Sequence, residues 1–375
     1  MDGYDALLNA SEYEHVEVVR EPAAGLLSVI AVHNTALGPA MGGVRRASYP
    51  SLQDAIEDAL RLSAAMTVKS SLAGLPLGGG KSVIVDGSAI ASPELLDAFG
   101  EQLRRLGGRY VAAEDIGTSP RDMDRLALHT RWVAGGSPRN GGSGDPSPAT
   151  ARTVLAAIEN AFDQLDADLE GARAGVIGVG KVGAALARML AARGARVTVA
   201  DVNPARAAAV ATAIDGSTCE PGEMLGRSFD VLAPCARGGV ITAASASRLR
   251  VRVLCGAANN MLAADALADD LAAAGVLYVP DFLANAGGIV QAGGELLGWS
   301  PERIHASVAS SIALGRAILQ DAAREGTTPL RLATERALTR VRHAEAARRG
   351  GAHAPADTRR GGGSARPATA VAEAA

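Results

Sequence analysis

Residues 174–201 constrain the fold more than any other part of this chain. Ala174-Gly175-Val176-Ile177 is a short apolar strand, Gly178-x-Gly180-x-x-Gly183 follows it, and Val182–Arg193 has the period of an amphipathic helix. Arg196-Val197-Thr198-Val199-Ala200 is the next strand, and Asp201 stands at its end, 18 residues past Gly183. A glycine triplet alone is weak evidence. Strand, glycines, helix, strand and terminal acid together specify a Rossmann unit that binds a dinucleotide. The first glycine permits the turn, the second lets a pyrophosphate approach the backbone, and the third lets helix and strand pack closely. The helix N-terminus adds partial positive charge. Gly178, Gly180, Gly183 and Asp201 are therefore the candidate cofactor residues. Asp201 can accept both ribose hydroxyls and would repel a 2′-phosphate, which favours NAD over NADP; Arg206 is close by and argues the other way.

A chain of 375 residues with 48% hydrophobic content has material for two cores. A net charge of −3 and a pI near 6.1 give no basic footprint for nucleic acid. Cys219, Cys235 and Cys255 have no CxxC spacing, so neither a disulfide framework nor a metal site is expected, and a reducing cytoplasm suits them. The N-terminus lacks the pattern of a signal peptide, and no apolar run is long enough to span a membrane.

Only three lysines occur: Lys69, Lys81 and Lys181. Two of them lie in the apolar, glycine-rich stretch Met66–Lys81. An ammonium gives up its proton when desolvated or placed near another cation, whereas a guanidinium does not. Lys69 and Lys81 are thus candidates for chemistry rather than for surface solvation. Before this stretch, Glu12–Val19 and Leu26–His33 read as two strands, Asn34–Arg46 as a glycine-rich connection, and Ser51 as the cap of a helix whose apolar face is Leu52, Ala55, Ile56, Ala59, Leu60 and Leu62. After it come a strand from Lys81, a helix from Ser92, and the strand Arg109–Ala113, whose exit carries Glu114 and Asp115. Residues 135–148, rich in glycine and proline, read as a hinge. Beyond the dinucleotide unit, Asp281–Gly288 reads as a loop, and Asn259, Asn260 and Asn285 stand where strands end, suited to the nicotinamide ribose or amide. Asparagine is also a common turn residue. Pro301–Arg324 and Pro329–Arg348 are long helices, and Gly350–Ala375 has a disordered composition.

Several motifs share one resemblance: Gly38-Pro39-Ala40-Met41-Gly42-Gly43-x-Arg45, Met66-Thr67-x-Lys69, Gly78-Gly79-Gly80-Lys81, Ala113-Glu114-Asp115-x-Gly117-Thr118, Gly144-Asp145-Pro146-Ser147-Pro148 and Asn285-Ala286-Gly287-Gly288. Together they resemble the Glu/Leu/Phe/Val amino-acid dehydrogenases, closest to the leucine and valine branch, from about Glu12 to about Arg348.

The resemblance implies an α/β chain of two domains: an N-terminal mixed α/β substrate domain and a Rossmann doubly wound NAD-binding domain, with a cleft between them. The substrate domain would be residues 1–135, completed by a C-terminal helix at 329–348; the NAD domain would be 145–325. The implied reaction is reversible oxidative deamination of an L-amino acid, in a homo-oligomer that needs neither nucleic acid nor membrane. Lys81 would be the general base, Asp115 a proton relay, and Lys69 the partner of the substrate carboxylate. Met41, Gly42, Met66, Ala113 and Ala292 would line the substrate pocket, and Asn260 and Asn285 would meet the cofactor. Glutamate dehydrogenases resemble this stretch but carry lysine where Met41 stands, so glutamate is disfavoured. Ala292 stands where the leucine branch usually has valine, which leaves a bulkier side chain in play. Arg237 stands where leucine is usual. Three readings remain: a branched-chain dehydrogenase, a dehydrogenase for an aromatic or unusual amino acid, and a nucleotide-binding regulator on the same fold.

Overall fold

A computed structural model describes residues 12–88, 90–236 and 238–351. Arg237, and the tail from residue 352 onward that reads as disordered, lie outside the described residues. The chain divides into two compact units. Unit 1 holds the residues up to Gly144, Ala292–Pro301, and Ala337 onward; unit 2 holds Asp145–Gln291 and Glu302–Arg336. The expected C-terminal boundaries differ from these. A ten-residue segment at 292–301 returns to unit 1, and the last long helix divides at Arg336 rather than joining unit 1 whole.

Unit 1 is built on five strands in the order β1-β2-β4-β3-β5, namely β1 (His15–Glu21), β2 (Leu26–Asn34), β3 (Ala40–Ala47), β4 (Gly78–Val85) and β5 (Tyr110–Glu114). β1, β2 and β4 pair antiparallel, whereas β3 runs parallel to both β4 and β5. β3 corrects the expectation of a connection at Asn34–Arg46. Glycine weakens a strand, but β3 pairs on both sides and is buried except at Arg45 and Ala47. Helix α1 (Leu52–Leu72) starts at Ser51, whose side chain accepts from Asp54 N–H. It buries Ala55, Ile56, Ala59 and Leu60 against Val29, Ala31 and Val83 on one sheet face. Helices α2 (Pro93–Arg105) and α3 (Pro120–Leu126) cover the other face with Leu95, Phe99, Leu103, Met123 and Leu126.

The region Met66–Lys81 is not a loop. Met66–Leu72 completes α1, which stops just before the left-handed Gly74 (φ +72°), and Gly78–Gly80 already belongs to β4. Helix and strand touch backbone to backbone here. A Cβ on Gly79 would lie 2.1 Å from Thr67 N.

Unit 2 contains a six-stranded sheet, all parallel, in the order β11-β10-β9-β6-β7-β8. Its strands are β6 (Arg173–Ile177), β7 (Arg196–Ala200), β8 (Ser217–Thr218), β9 (Ser228–Pro234), β10 (Arg250–Leu254) and β11 (Leu277–Tyr278). The order reverses between β6 and β9, the place where doubly wound sheets bind ligands at the strands' carboxyl ends. Helices α4 (Ser147–Gln164) and α5 (Lys181–Ala192) pack Val154, Ile158, Leu186 and Leu190 against Val176, Val199 and Val231. The expected loop Asp281–Gly288 contains a short helix, Asp281–Ala284, and opens the helix Gly287–Leu296. Among the described residues no helix is long and apolar enough to cross a membrane.

Gly79→Ala is expected to destabilise unit 1 by about 3 kcal/mol, at the upper end of overpacking penalties, because backbone rather than a flexible side chain must yield. Chemical denaturation checks this, and a change within about 0.5 kcal/mol would mean that α1 and β4 separate easily.

Candidate active site

In unit 1 the sheet gathers three charged side chains from three elements. Lys81 lies in the middle of β4 and is 5% exposed; its Nζ donates to Asp115 Oδ2 at 2.5 Å. Asp115 directly follows β5, and its position is set by a turn in which Asp115 N–H donates to Thr118 Oγ1 while Thr118 Oγ1 donates to Val44 O. Arg45 on β3 places Nε 3.4 Å from the same Asp115 Oδ2. Its NH1 donates to Asp58 Oδ2 on α1 at 2.8 Å, and Tyr49 OH donates to that oxygen at 2.7 Å.

The site stays compact because Gly43, on β3, has no side chain. A Cβ there would lie 2.5 Å from Asp115 Cβ and 3.1 Å from Lys81 Nζ. Burial lowers the Lys81 pKa, and Arg45 lowers it further, while Asp115 opposes them. Burial would raise Asp115, but Lys81 and Arg45 outweigh it and hold the carboxyl down at about 2. Asp115 is therefore ionised at any working pH, and Lys81 is the group whose proton is loosened.

The structure brings Gly42, Ala113 and Met41 into the same sheet region. Gly42 O accepts from Tyr110 OH at 2.8 Å, Ala113 pairs with Gly43, and Met41, 1% exposed, pairs with Gly79 and Val111. Lys69 and Met66 sit on the last turns of α1, flanking Thr67, whose Oγ1 meets His33 Nδ1 at 2.8 Å. Ala292 is buried on the helix Gly287–Leu296, and a Cβ on its neighbour Gly293 would lie 3.1 Å from Leu75 Cδ1. The glycine-rich stretch expected to act as a hinge is irregular but fastened: Asp124 accepts from Ser137 N–H, and Glu295 accepts from Gly135 and Ser143 N–H.

In unit 2 the dinucleotide candidates form two groups. Gly178 is left-handed (φ +88°), and a Cβ on Gly183 would lie 1.9 Å from Gly178 O, so the turn and the helix packing both need glycine. Gly180 is the N-cap of α5 without a side-chain cap, and a Cβ there would meet nothing within 4 Å. The helix N-terminus therefore fronts open space, which fits a pyrophosphate. Asp201, 8% exposed, accepts from Val179 and Asn203 N–H at 2.8 Å each, with Arg206 NH1 3.8 Å away. Lys181 is an exposed helix-start residue paired with Asp145 at 3.5 Å.

The second group is Asn259, Asn260 and Asn285. Asn285 Nδ2 donates to Ala257 O and Asn259 Oδ1, and Asn260 N–H donates to Asp281. Asn285 Oδ1 is buried and, among the described residues, accepts no hydrogen bond. A buried amide oxygen left this way fits an amide donor from a ligand such as nicotinamide.

Comparisons with known proteins give the family. A family model described as Glu/Leu/Phe/Val dehydrogenase, dimerisation domain, matches residues 15–132, and one described as Glutamate/Leucine/Phenylalanine/Valine dehydrogenase matches 205–349. The chain is 41% identical over 346 residues to a valine dehydrogenase of Streptomyces albus, covering 90% of this chain and 94% of that one. It is 40% identical over 297 residues to a leucine dehydrogenase of Geobacillus stearothermophilus, covering 78% and 80%. The chain belongs to the Glu/Leu/Phe/Val dehydrogenase family. A solved L-tryptophan dehydrogenase from Nostoc punctiforme is similar to this dehydrogenase with a TM-score of 0.75 and 31% identity, covering 92% of this chain and 99% of that one. A hetero-hexameric glutamate dehydrogenase from Thermus thermophilus gives a TM-score of 0.77 at 25% identity, covering 92% of each. A model for the NAD binding domain of D-isomer specific 2-hydroxyacid dehydrogenases also matches residues 151–238. The dehydrogenase is thus an oxidoreductase that uses a nicotinamide cofactor.

Reading the sequence alone assigned no role to Arg45, Asp58 or Tyr49. Arg45 was visible inside a motif, but Asp58 falls on the polar side of the α1 pattern and reads there as solvated. Tyr49 carries no motif signal.

Gly43→Ala is expected to cut turnover by the dehydrogenase about 10²-fold, because misplacement by an ångström at reacting groups has that scale. Dinucleotide binding should persist. Steady-state kinetics beside a fluorescence titration with NADH would test it; unchanged kcat would show that the Lys81–Asp115 spacing is not critical.

Proposed function

We propose that this dehydrogenase catalyses the NAD-dependent, reversible oxidative deamination of branched-chain aliphatic L-amino acids (valine, leucine, isoleucine) to the 2-oxo acid and ammonia. The observation that carries the reading is Lys81, a buried lysine whose Nζ rests 2.5 Å from the ionised Asp115. Binding a nucleotide needs no such group; moving protons at an amine does. The valine and leucine dehydrogenases at about 40% identity support the substrate class.

In this mechanism Lys69 pairs with the substrate carboxylate. The nicotinamide ring, when bound, supplies the hydride acceptor. Lys81, its proton loosened by burial and Arg45, takes a proton from the water that attacks the substrate iminium carbon. Asp115 exchanges protons with the substrate nitrogen and keeps Lys81 oriented. Gly178, Gly180 and Gly183 accommodate the pyrophosphate, Asp201 the adenosine ribose, and Asn260 and Asn285 the nicotinamide half. NAD is preferred because the Asp201 carboxylate repels a 2′-phosphate, and Arg206 is the residue through which NADP would enter. A homo-oligomer in the cytoplasm completes the reading, supported by the family's dimerisation domain and by free thiols at the half-buried Cys235 and the buried Cys255.

The pocket sets the substrate. Met41 offers no charge to a side-chain carboxylate, and burying one unpaired costs several kcal/mol. Aromatic substrates form the second reading, favoured by the small Ala292 and by the similarity to a tryptophan dehydrogenase. Selection there rests on volume, where each methylene contributes only about 1–3 kcal/mol.

Two measurements test the proposal. In a screen of NADH formation across the L-amino acids at alkaline pH, valine, leucine or isoleucine should lead and glutamate should give essentially nothing. Glutamate as best substrate overturns the Met41 argument, and an aromatic one moves the reading to its alternative. Lys81→Ala should lower kcat by roughly 10²–10⁴-fold while NAD binding stays intact; a variant keeping more than about a tenth of kcat would remove Lys81 as the base.

A further inference from the structure

The mechanism above uses Lys81 and Asp115, yet a third charge touches the pair. Arg45 Nε is buried, has no hydrogen-bond acceptor among the described residues, and faces Asp115 Oδ2 at 3.4 Å, the oxygen that Lys81 Nζ also holds. The guanidinium is fastened at its far side by Asp58 Oδ2, which in turn accepts from Tyr49 OH. Asp58 Oδ1 accepts from Arg61, an exposed side chain.

We propose that Arg45 is the positioning residue of the Lys81–Asp115 pair: it shares Asp115 Oδ2 with Lys81, keeps a fixed positive charge beside the ammonium, and is itself fixed by Asp58 and Tyr49. Two cations on one carboxylate oxygen are not equivalent. A guanidinium keeps its proton at every accessible pH, so the proton that leaves the cluster is the lysine's. The charged groups acting on Lys81 come from three elements: Asp115 after β5, Arg45 on β3 and Asp58 on α1. Burial and Arg45 loosen its proton; Asp115 and Asp58 retain it. Tyr110 of β5 is buried near the same strands, and burial keeps its phenol protonated. Arg45 stays charged because Asp115 and Asp58 outweigh the effect of its burial. A lysine in its place could deprotonate first and would lose the second anchor on Asp58.

This inference deepens the dehydrogenase reading and rests on it for its catalytic meaning, but Lys81 can be observed without turnover. Since the chain has three lysines, full-length protein carrying ¹³Cε-lysine shows three side-chain signals, and Lys81→Arg identifies the one from Lys81. In a pH titration, Arg45→Met is expected to move the Lys81 midpoint to higher pH, and Asp58→Asn to lower pH. The limb of the kcat/KM profile that reports the base should move in the same two directions. At neutral pH Arg45→Met should lose about tenfold or more in kcat/KM, a deficit that shrinks as pH rises. Midpoints that stay at the wild-type position in both variants overturn the proposal, as does a loss that is uniform across pH. Should Arg45→Met fail to fold, Asp58→Asn decides alone: a downward shift supports the proposal and an unmoved midpoint ends it. Wild-type protein that oxidises no L-amino acid while the Lys81 midpoints shift as expected would defeat the functional reading and leave Arg45's role standing.

Discussion

The site depends on side chains that are missing at the start of β4. Because Gly79 has no Cβ, α1 lies backbone to backbone on the strand at Thr67. That contact lies two residues before Lys69 on the helix and two before Lys81 on the strand. A methyl group at Gly79 would force the two backbones apart. Gly43 repeats the same logic on β3, where its bare backbone lets Asp115 close on Lys81 Nζ.

Burying that pair does little for stability. Desolvation offsets much of the attraction between two buried ions, and removing one partner typically costs 3–5 kcal/mol because the other is left uncompensated. Both groups make stability rise with pH, but in different windows. Asp115 sits below its unfolded value, so it contributes stability above the ordinary carboxylate range, and this is lost as pH falls through about 2. Lys81 also sits below its unfolded value, but for a base that means the charged form is disfavoured in the fold. Its penalty is present at low pH and is relieved as pH rises between the folded and unfolded values. The fold therefore tolerates the pair best under alkaline conditions, where Lys81 is neutral.

Much of this was legible in the sequence, and the failures have physical causes. The dinucleotide unit, with its glycines and terminal Asp201, reads directly because each residue type answers a local requirement. Lys81 and Asp115 stood out through scarcity and through position at a strand's exit. The β3 strand did not, because Gly38–Gly43 has the composition of a loop. Only pairing with β4 and β5, set by residues far along the chain, makes it a central strand. Nothing local marks the end of α1 either: Thr67 and Val68 are weak helix formers, and tertiary packing on Gly79 overrides that preference. Arg45, Asp58 and Tyr49 escaped because a network among strand, loop and helix leaves no periodic mark.

The two units solve their recognition problems with different materials. Unit 2 presents backbone: an uncapped helix start at Gly180 and a turn that only glycine allows at Gly178. Such a site gives affinity for phosphate without choosing between cofactors. On the proposed reading choice falls to Asp201, whose two oxygens already accept backbone N–H groups, with Arg206 nearby. The buried Asn285 Oδ1 works in the opposite sense. An acceptor left unsatisfied in the fold costs about 1–3 kcal/mol, and a ligand that donates to it recovers that amount on binding. On the proposed reading, Asn285 therefore rewards the nicotinamide amide, Asp201 penalises the wrong ribose, and the glycine turn serves either dinucleotide alike.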